Sequence, residues 1–263
     1  MKAGTSSLAA SLRAHSDIFT PANEVHFFDV PRRYAKGLRK YRSYFTGWQG
    51  ERAVGEKTPT YSYQAAAPER IASLLPEVKL IWIFRHPVAR MVSHYWFFVS
   101  TGKERLSIDK ALAREEAGRT TDYTMRYRDR SIYVKQVQRF QQFFSLDQML
   151  FLLFEEYIQD PAGTLARVCR FLEVDPEFEF PSRPARKNVT RIPRIQLLQW
   201  ANYHLFRRRS TRIYRQLRRL NRRRTPGYPS LDPETGRELA AFFTPYNQQL
   251  ATLTGLDIAL WET

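Results

Sequence analysis

Met1-Lys2-Ala3-Gly4-Thr5-Ser6-Ser7-Leu8 opens the chain, followed by the small and apolar Ala9, Ala10 and Leu12. A lysine, a glycine and three hydroxyl residues directly ahead of a helix-forming run have the chemistry of an anion cradle. Backbone N–H groups at a helix N-terminus lack intrahelical acceptors and carry the positive end of the dipole, Lys2 adds a cation, and Thr5, Ser6 and Ser7 add donors. The lysine comes before the glycine, so the spacing is not the G-x-x-x-x-G-K-[ST] of a Walker A loop. An ordinary helix start with Ser or Thr as N-cap is the plain alternative.

Outward from this loop the pattern alternates. The loop leads into a helix over 6–15, and Glu24-Val-His-Phe-Phe28 reads as a short strand whose alternation puts Glu24, His26 and Phe28 on one face. The aromatic and basic residues 31–48 read as helical and partly exposed. A short strand begins at Val54 and ends in a turn at Pro59, and proline opens a helix over 68–75. Val78-Lys-Leu-Ile-Trp-Ile-Phe84 and Met149-Leu-Phe-Leu-Leu-Phe154 are continuous apolar runs of the kind buried in parallel sheets. Helices are expected at 87–98, 108–117, 131–144, 161–172, 193–206, 210–223, 233–243 and 245–253. Strands alternating with helices imply an α/β fold with a parallel sheet covered on both faces.

At 263 residues the chain can bury one substantial core, and a single domain over 1–263 is expected. Its one cysteine, Cys169, shares a helical face with Leu165, Val168 and Leu172, so it reads as a buried thiol; a disulfide framework and a cysteine metal site are excluded. No apolar run reaches membrane-spanning length and no signal peptide opens the chain, which implies a cytoplasmic protein. Only Met1 precedes the loop, where α/β proteins place a strand, so the domain is expected to lack its first β-strand and Met1 to be an internal methionine or a misassigned start. The net charge of +16 is concentrated: 186–224 holds fourteen Lys or Arg and no Asp or Glu, and elsewhere twenty-eight basic residues face twenty-six acidic ones. This basic helical segment faces something acidic or solvent counterions.

Four motifs in order carry a resemblance. Lys2-x-Gly4-Thr5-Ser6-x-Leu8 resembles the 5′-phosphosulfate loop of sulfotransferases that use 3′-phosphoadenosine 5′-phosphosulfate (PAPS). Asn23-Glu-Val-His-Phe-Phe-Asp29 resembles the K-E-x-x-F-F segment of the heparan sulfate and related glycan branch, with Asn23 in place of lysine. Gly55-Glu-Lys-Thr-Pro-Thr-Tyr61 resembles its G-E-K-[ST]-P-x-Y segment, and Arg85-His-Pro-Val-Ala-Arg-Met-Val-Ser-His-Tyr95 its 3′-phosphate motif, with His86 in the usual Asp or Asn position. The resemblance implies a three-layer fold like that of the P-loop NTPases, with a central parallel sheet flanked by helices.

It also implies roles. Lys2, Ala3, Gly4, Thr5, Ser6 and Ser7 would hold the 5′-phosphosulfate of PAPS, and Arg85 and Ser93 its 3′-phosphate, for which the arginine fork is suited. Lys187 and Arg191 match a late loop that closes on the nucleotide. Glu24 is the expected general base, with His26 as its rival, Lys2 the cation for the leaving phosphate and Lys57 the cation for the sulfuryl oxygens. The acceptor would be a hydroxyl or amine, in the first instance of a carbohydrate, and no metal is required. For the basic segment the options are an anionic polysaccharide or a membrane surface, with nucleic acid less favoured. A nucleotide kinase would need a lysine after the glycines and a magnesium-binding aspartate, a nucleic-acid-binding protein would leave residues 1–100 unexplained, and a chain truly starting at Met1 could be an inactive relative.

Overall fold

In a computed structural model, the described residues are 1–181, 192–207, 210–223, 228–229 and 231–261. The helices are α1 (Thr5–Leu12), α2 (Pro31–Tyr34), α3 (Gly37–Arg42), α4 (Ala67–Leu74), α5 (Pro87–Thr101), α6 (Ile108–Glu116), α7 (Tyr133–Gln141), α8 (Phe154–Gln159), α9 (Pro161–Leu172), α10 (Gln196–Phe206), α11 (Thr211–Leu220) and α12 (Pro233–Thr254). Strands β1 (Ile18–Phe19) and β2 (Ala53–Val54) pair in parallel, as do β3 (Leu80–Phe84) and β4 (Met149–Leu153), with Leu80 opposite Met149 and Phe84 opposite Leu153. The protein has the α/β, P-loop-like fold with parallel pairing that the sequence implied.

The described chain forms two compact units, one of residues 1–86, 133–187 and 246–263, the other of 87–132 and 188–245. In the first, the period-two alternation of β3 and β4 sorts their side chains to opposite faces. Ile83 and Leu152 join Leu8 and Leu12 of α1 and Leu165, Val168 and Cys169 of α9 in one core cluster. Trp82 and Phe84 instead meet Phe140 and Tyr133 of α7, at centroid distances of 5.0 and 4.9 Å. The sheet is thus covered on both sides, and Cys169 is the buried free thiol expected.

Two expectations give way. Residues 24–28 do not form a strand: His26 sits at φ 51° in the left-handed region, which breaks the alternation, and Phe27 and Phe28 are both buried. The separate helices at 233–243 and 245–253 are one, α12, which runs through Pro245. A short helix not expected, α8, follows β4 directly.

In the second unit α5 packs against α10. Arg90 of α5, 2% exposed, donates from Nε to the Ser131 hydroxyl at 2.8 Å and from Nη2 to the Tyr127 carbonyl at 2.6 Å. This second arginine of the 85–95 motif therefore fastens the 127–131 turn. Gly102 follows α5 at φ 84°, and a Cβ there would lie 2.4 Å from the Gln199 carbonyl oxygen of α10. Gly102→Ala should cost distinctly more stability than Gly118→Ala, which has φ 68° and open space around it. The latter should lose only the backbone penalty of about 1–2 kcal/mol, and equal losses in chemical denaturation would contradict the close approach.

Candidate active site

All elements described here belong to the first unit. The N-cap of α1 is Gly4, at φ 88° and with no side-chain cap, so the hydroxyls of Thr5, Ser6 and Ser7 are not spent on capping. A Cβ on Gly4 would lie 2.4 Å from the Phe154 ring, the first residue beyond β4. The same ring lies under the Arg85 guanidinium, 5.1 Å from its centroid. Phe154 thus seats both the loop and the arginine at the carboxyl ends of β3 and β4, where ligands of parallel α/β sheets bind.

Lys2 shares the left-handed region at φ 72°. Burial, and then the nearby Arg85 charge, pull its ammonium down to about 8. Arg85 Nη1 reaches within 3.5 Å of the Lys2 carbonyl oxygen. Two cations crowded in a half-buried loop beside a helix N-terminus are relieved by a bound anion, so the residues fit a phosphate or phosphosulfate.

A chain of alternating charges stands beside this cradle. Lys57 Nζ donates to Ser6 Oγ at 3.2 Å and to Glu24 Oε1 at 2.5 Å. Glu24 Oε2 lies 3.2 Å from His26 Nε2, and His26 Nδ1 lies 2.8 Å from Asp29 Oδ2. Burial works against the Glu24 carboxylate, but hydrogen bonds from His26 and Lys57 outweigh it and hold the group at about 2. His26, bonded first to the nearly buried Asp29 and then to Glu24, is pushed up to about 9. Both shifts favour the charged forms of Glu24 and His26 at neutral pH.

What holds Glu24 and His26 there is the Gly55–Tyr61 motif. Backbone N–H groups of Val25 and His26 donate to Thr58 Oγ1 at 3.1 and 3.3 Å, and that of Phe27 donates to the Tyr61 hydroxyl at 2.9 Å. Both hydroxyls in turn donate to the Glu56 carboxylate, at 2.6 and 2.7 Å. Burial raises the Glu56 carboxyl above its usual range, and these two donors work against that shift. In Gly55–Tyr61, then, Lys57 points to the site while Glu56, Thr58 and Tyr61 build the loop that carries Glu24.

Of the expected site residues, the structure brings together Lys2, Gly4, Ser6, Glu24, His26, Lys57 and Arg85 in the first unit. Ser93 belongs to the second unit, where it is 2% exposed and shares a 3.1 Å hydrogen bond with the Tyr228 hydroxyl. Lys187 and Arg191 lie outside the described residues. Sequence reasoning missed Asp29, whose signal was its position three residues after His26, and the scaffolding trio, whose signal was an acid and two hydroxyls within six residues. It also missed a cleft of about 770 Å³ lined by Glu24 together with Arg32, Arg33, Lys36, Lys40 and Tyr44. Among the described residues no group of His, Cys, Asp and Glu could hold a metal ion, and no helix is long and apolar enough to cross a membrane.

Residues 1–193 match the family model described as the sulfotransferase domain. The chain belongs to the sulfotransferase family. A solved sulfotransferase from Alicyclobacillus acidocaldarius superimposes with a TM-score of 0.76 at 26% identity, covering 100% of this chain and 95% of that one. Mouse heparan sulfate glucosamine 3-O-sulfotransferase 3B1 is 29% identical over 99% of this chain and 63% of its own length. The human 3-O-sulfotransferase 6 is 29% identical over 97% of this chain and 70% of its own. The chain thus spans about three fifths of the length of the first of these relatives.

Two predictions test this arrangement. Tyr61→Phe leaves the Phe27 N–H without its acceptor and Glu56 without a donor, and should lower stability by about 1–3 kcal/mol; an unchanged melt would contradict the scaffold. A folded pKa raised from 6.5 to about 9 means His26 contributes stability fully below pH 6.5 and loses it as pH rises through 9. The melting-temperature gap between wild type and His26→Gln should accordingly be widest at pH 4.5 to 6.5 and close above pH 9, whereas a gap independent of pH would refute the charged His26.

Proposed function

We propose that the protein transfers a sulfuryl group from PAPS to a hydroxyl of an acidic carbohydrate. The observation that carries this reading is the placement of Lys57, which joins Ser6 in the first turn of the cradle helix to the carboxylate of Glu24. A proton acceptor and a cation for developing charge thereby stand at the mouth of an anion cradle. The four cations of the adjoining cleft and the printed names of the relatives support an acidic glycan as acceptor.

PAPS, when bound, supplies the sulfuryl group on its 5′-phosphate. The loop from Ala3 to Ser7 offers backbone and hydroxyl donors to that phosphosulfate, and Lys2 neutralises the charge left on the phosphate oxygen as its bond to sulfur breaks. Arg85, over the Phe154 ring at the carboxyl end of β3, is the residue of this unit suited to the 3′-phosphate. Glu24 accepts the proton of the acceptor hydroxyl as its oxygen forms the new bond to sulfur. A carboxylate held at about 2 is a feeble base while Lys57 and His26 both bind it. When Lys57 turns toward the sulfuryl oxygens, Glu24 loses one of the donors that hold it down and becomes more basic as the transfer proceeds. His26, pushed up to about 9 by Asp29 and Glu24, is suited to orient Glu24 rather than to take a proton, which supports Glu24 as the base.

Isothermal titration with adenosine 3′,5′-bisphosphate tests the donor site. Micromolar binding is expected, with a loss of about tenfold or more in Lys2→Ala and Arg85→Ala. Glu24→Gln should keep that binding and lose about 100-fold or more in turnover. No binding by the wild type would overturn the PAPS assignment, and turnover retained by Glu24→Gln but lost in His26→Ala would transfer the role of base to His26.

A further inference from the structure

The hairpin of α10 and α11, in the second unit, is built with its polarity reversed. Residues it buries include Gln199 at 1%, Asn202 at 3% and Asn221 at 6% exposure. Two of these amides do structural work: Asn202 donates to the Tyr214 carbonyl at 3.0 Å, and Asn221 exchanges two hydrogen bonds with the Ile195 backbone, at 2.8 and 3.0 Å. Facing outward are Ile195, Leu197, Leu198, Leu205, Ile213 and Leu220, six of the thirteen large hydrophobic residues that the described chain exposes. On α10 the spacing of Leu197, Leu198, Ala201 and Leu205 makes one continuous apolar face, and on α11 Ile213, Leu217 and Leu220 make another. Scattered exposed leucines are ordinary, but a concentration of them over buried amides is not.

The charge on the same hairpin is of one sign. Arg212, Arg215 and Arg219 are exposed on α11, on the side of the helix away from its leucines, and the whole stretch 186–224 contains no acidic residue. The matched family domain ends at residue 193, just ahead of the hairpin.

We infer that the α10–α11 hairpin docks in the plane of an anionic lipid surface, its leucines and isoleucines entering the boundary between headgroups and acyl chains and its arginines pairing with lipid phosphates. Each alternative occupant leaves one half of the pattern unexplained. A nucleic acid or a sulfated glycan would use the arginines but has no need of six exposed aliphatic side chains. A second copy of this chain would bring arginine against arginine. Spanning is excluded by length: α10 has 11 residues, about 16 Å of helix against a hydrocarbon core of about 30 Å. An amphipathic pair lying in the interface, with apolar area and arginines acting together, satisfies both halves.

The test is co-sedimentation of the full chain with vesicles of phosphatidylcholine alone and with phosphatidylglycerol added. The unmodified protein should bind the mixed vesicles, and part of that binding should survive about 1 M salt, where charges are screened beyond about 3 Å. Leu198→Ser with Leu205→Ser should weaken binding about tenfold or more. Arg215→Gln with Arg219→Gln should weaken it about fivefold per arginine. Circular dichroism melts check that both variants fold, and the salt series on the unmodified chain needs no variant. Absence of vesicle binding, complete loss of it in high salt, or binding indifferent to the leucine substitutions would each overturn the inference. So would retention on immobilised heparin or DNA that depends on the arginines alone while vesicles are ignored.

Discussion

The half-buried carboxylate of Glu56 is the constraint on which the candidate site depends. It accepts from the hydroxyls of Thr58 and Tyr61, and those oxygens accept the N–H groups of three successive residues, Val25, His26 and Phe27. Buried backbone donors must find acceptors, and in a strand they would find them on a neighbouring chain segment. Here side chains from the Gly55–Tyr61 turn take that place. The backbone of 24–28 is thereby free to leave the extended conformation at His26, and the departure brings Glu24, His26 and Asp29 into one hydrogen-bonded line.

That line meets the anion cradle through Lys57, and the cradle is tied to the sheet through Phe154. Gly4 is required twice over, by its positive φ and by the ring that fills the space a Cβ would take. Burial, and then the nearby Arg85 charge, lower the pKa of the Lys2 ammonium, and a bound anion would offset both. Folding alone would not favour such crowding; a bound anion would relieve it.

Hydrophobic period was the most legible signal in the chain. Continuous apolar runs at 78–84 and 149–154 gave β3 and β4, the Leu165, Val168 and Cys169 spacing gave the inner face of α9, and proline at 87 and 161 marked helix starts. The strand reading of 24–28 failed although its alternation did place Glu24 and His26 near each other, because period reports which side chains can share a face and not which group satisfies the backbone. In the same way the 85–95 motif does not say that its second arginine, Arg90, is buried and fastens the 127–131 turn.

The sequence by itself determined the α/β class, the cradle at Lys2 to Ser7, the buried thiol, the family resemblance and the location of the excess charge. These follow from local chemistry: periodicity, caps and charge are properties of neighbouring residues. Only the tertiary structure decided that Asp29 backs His26, that Lys57 bridges Ser6 and Glu24, that Thr58 and Tyr61 replace a strand partner, and that the 196–220 helices turn amides inward and leucines outward. Apart from the His26–Asp29 pair, three residues apart and set by the left-handed backbone at His26, those outcomes join residues some thirty or more positions apart or depend on which face of a helix meets the core, and a hydrogen bond between distant segments leaves no period in the sequence of either.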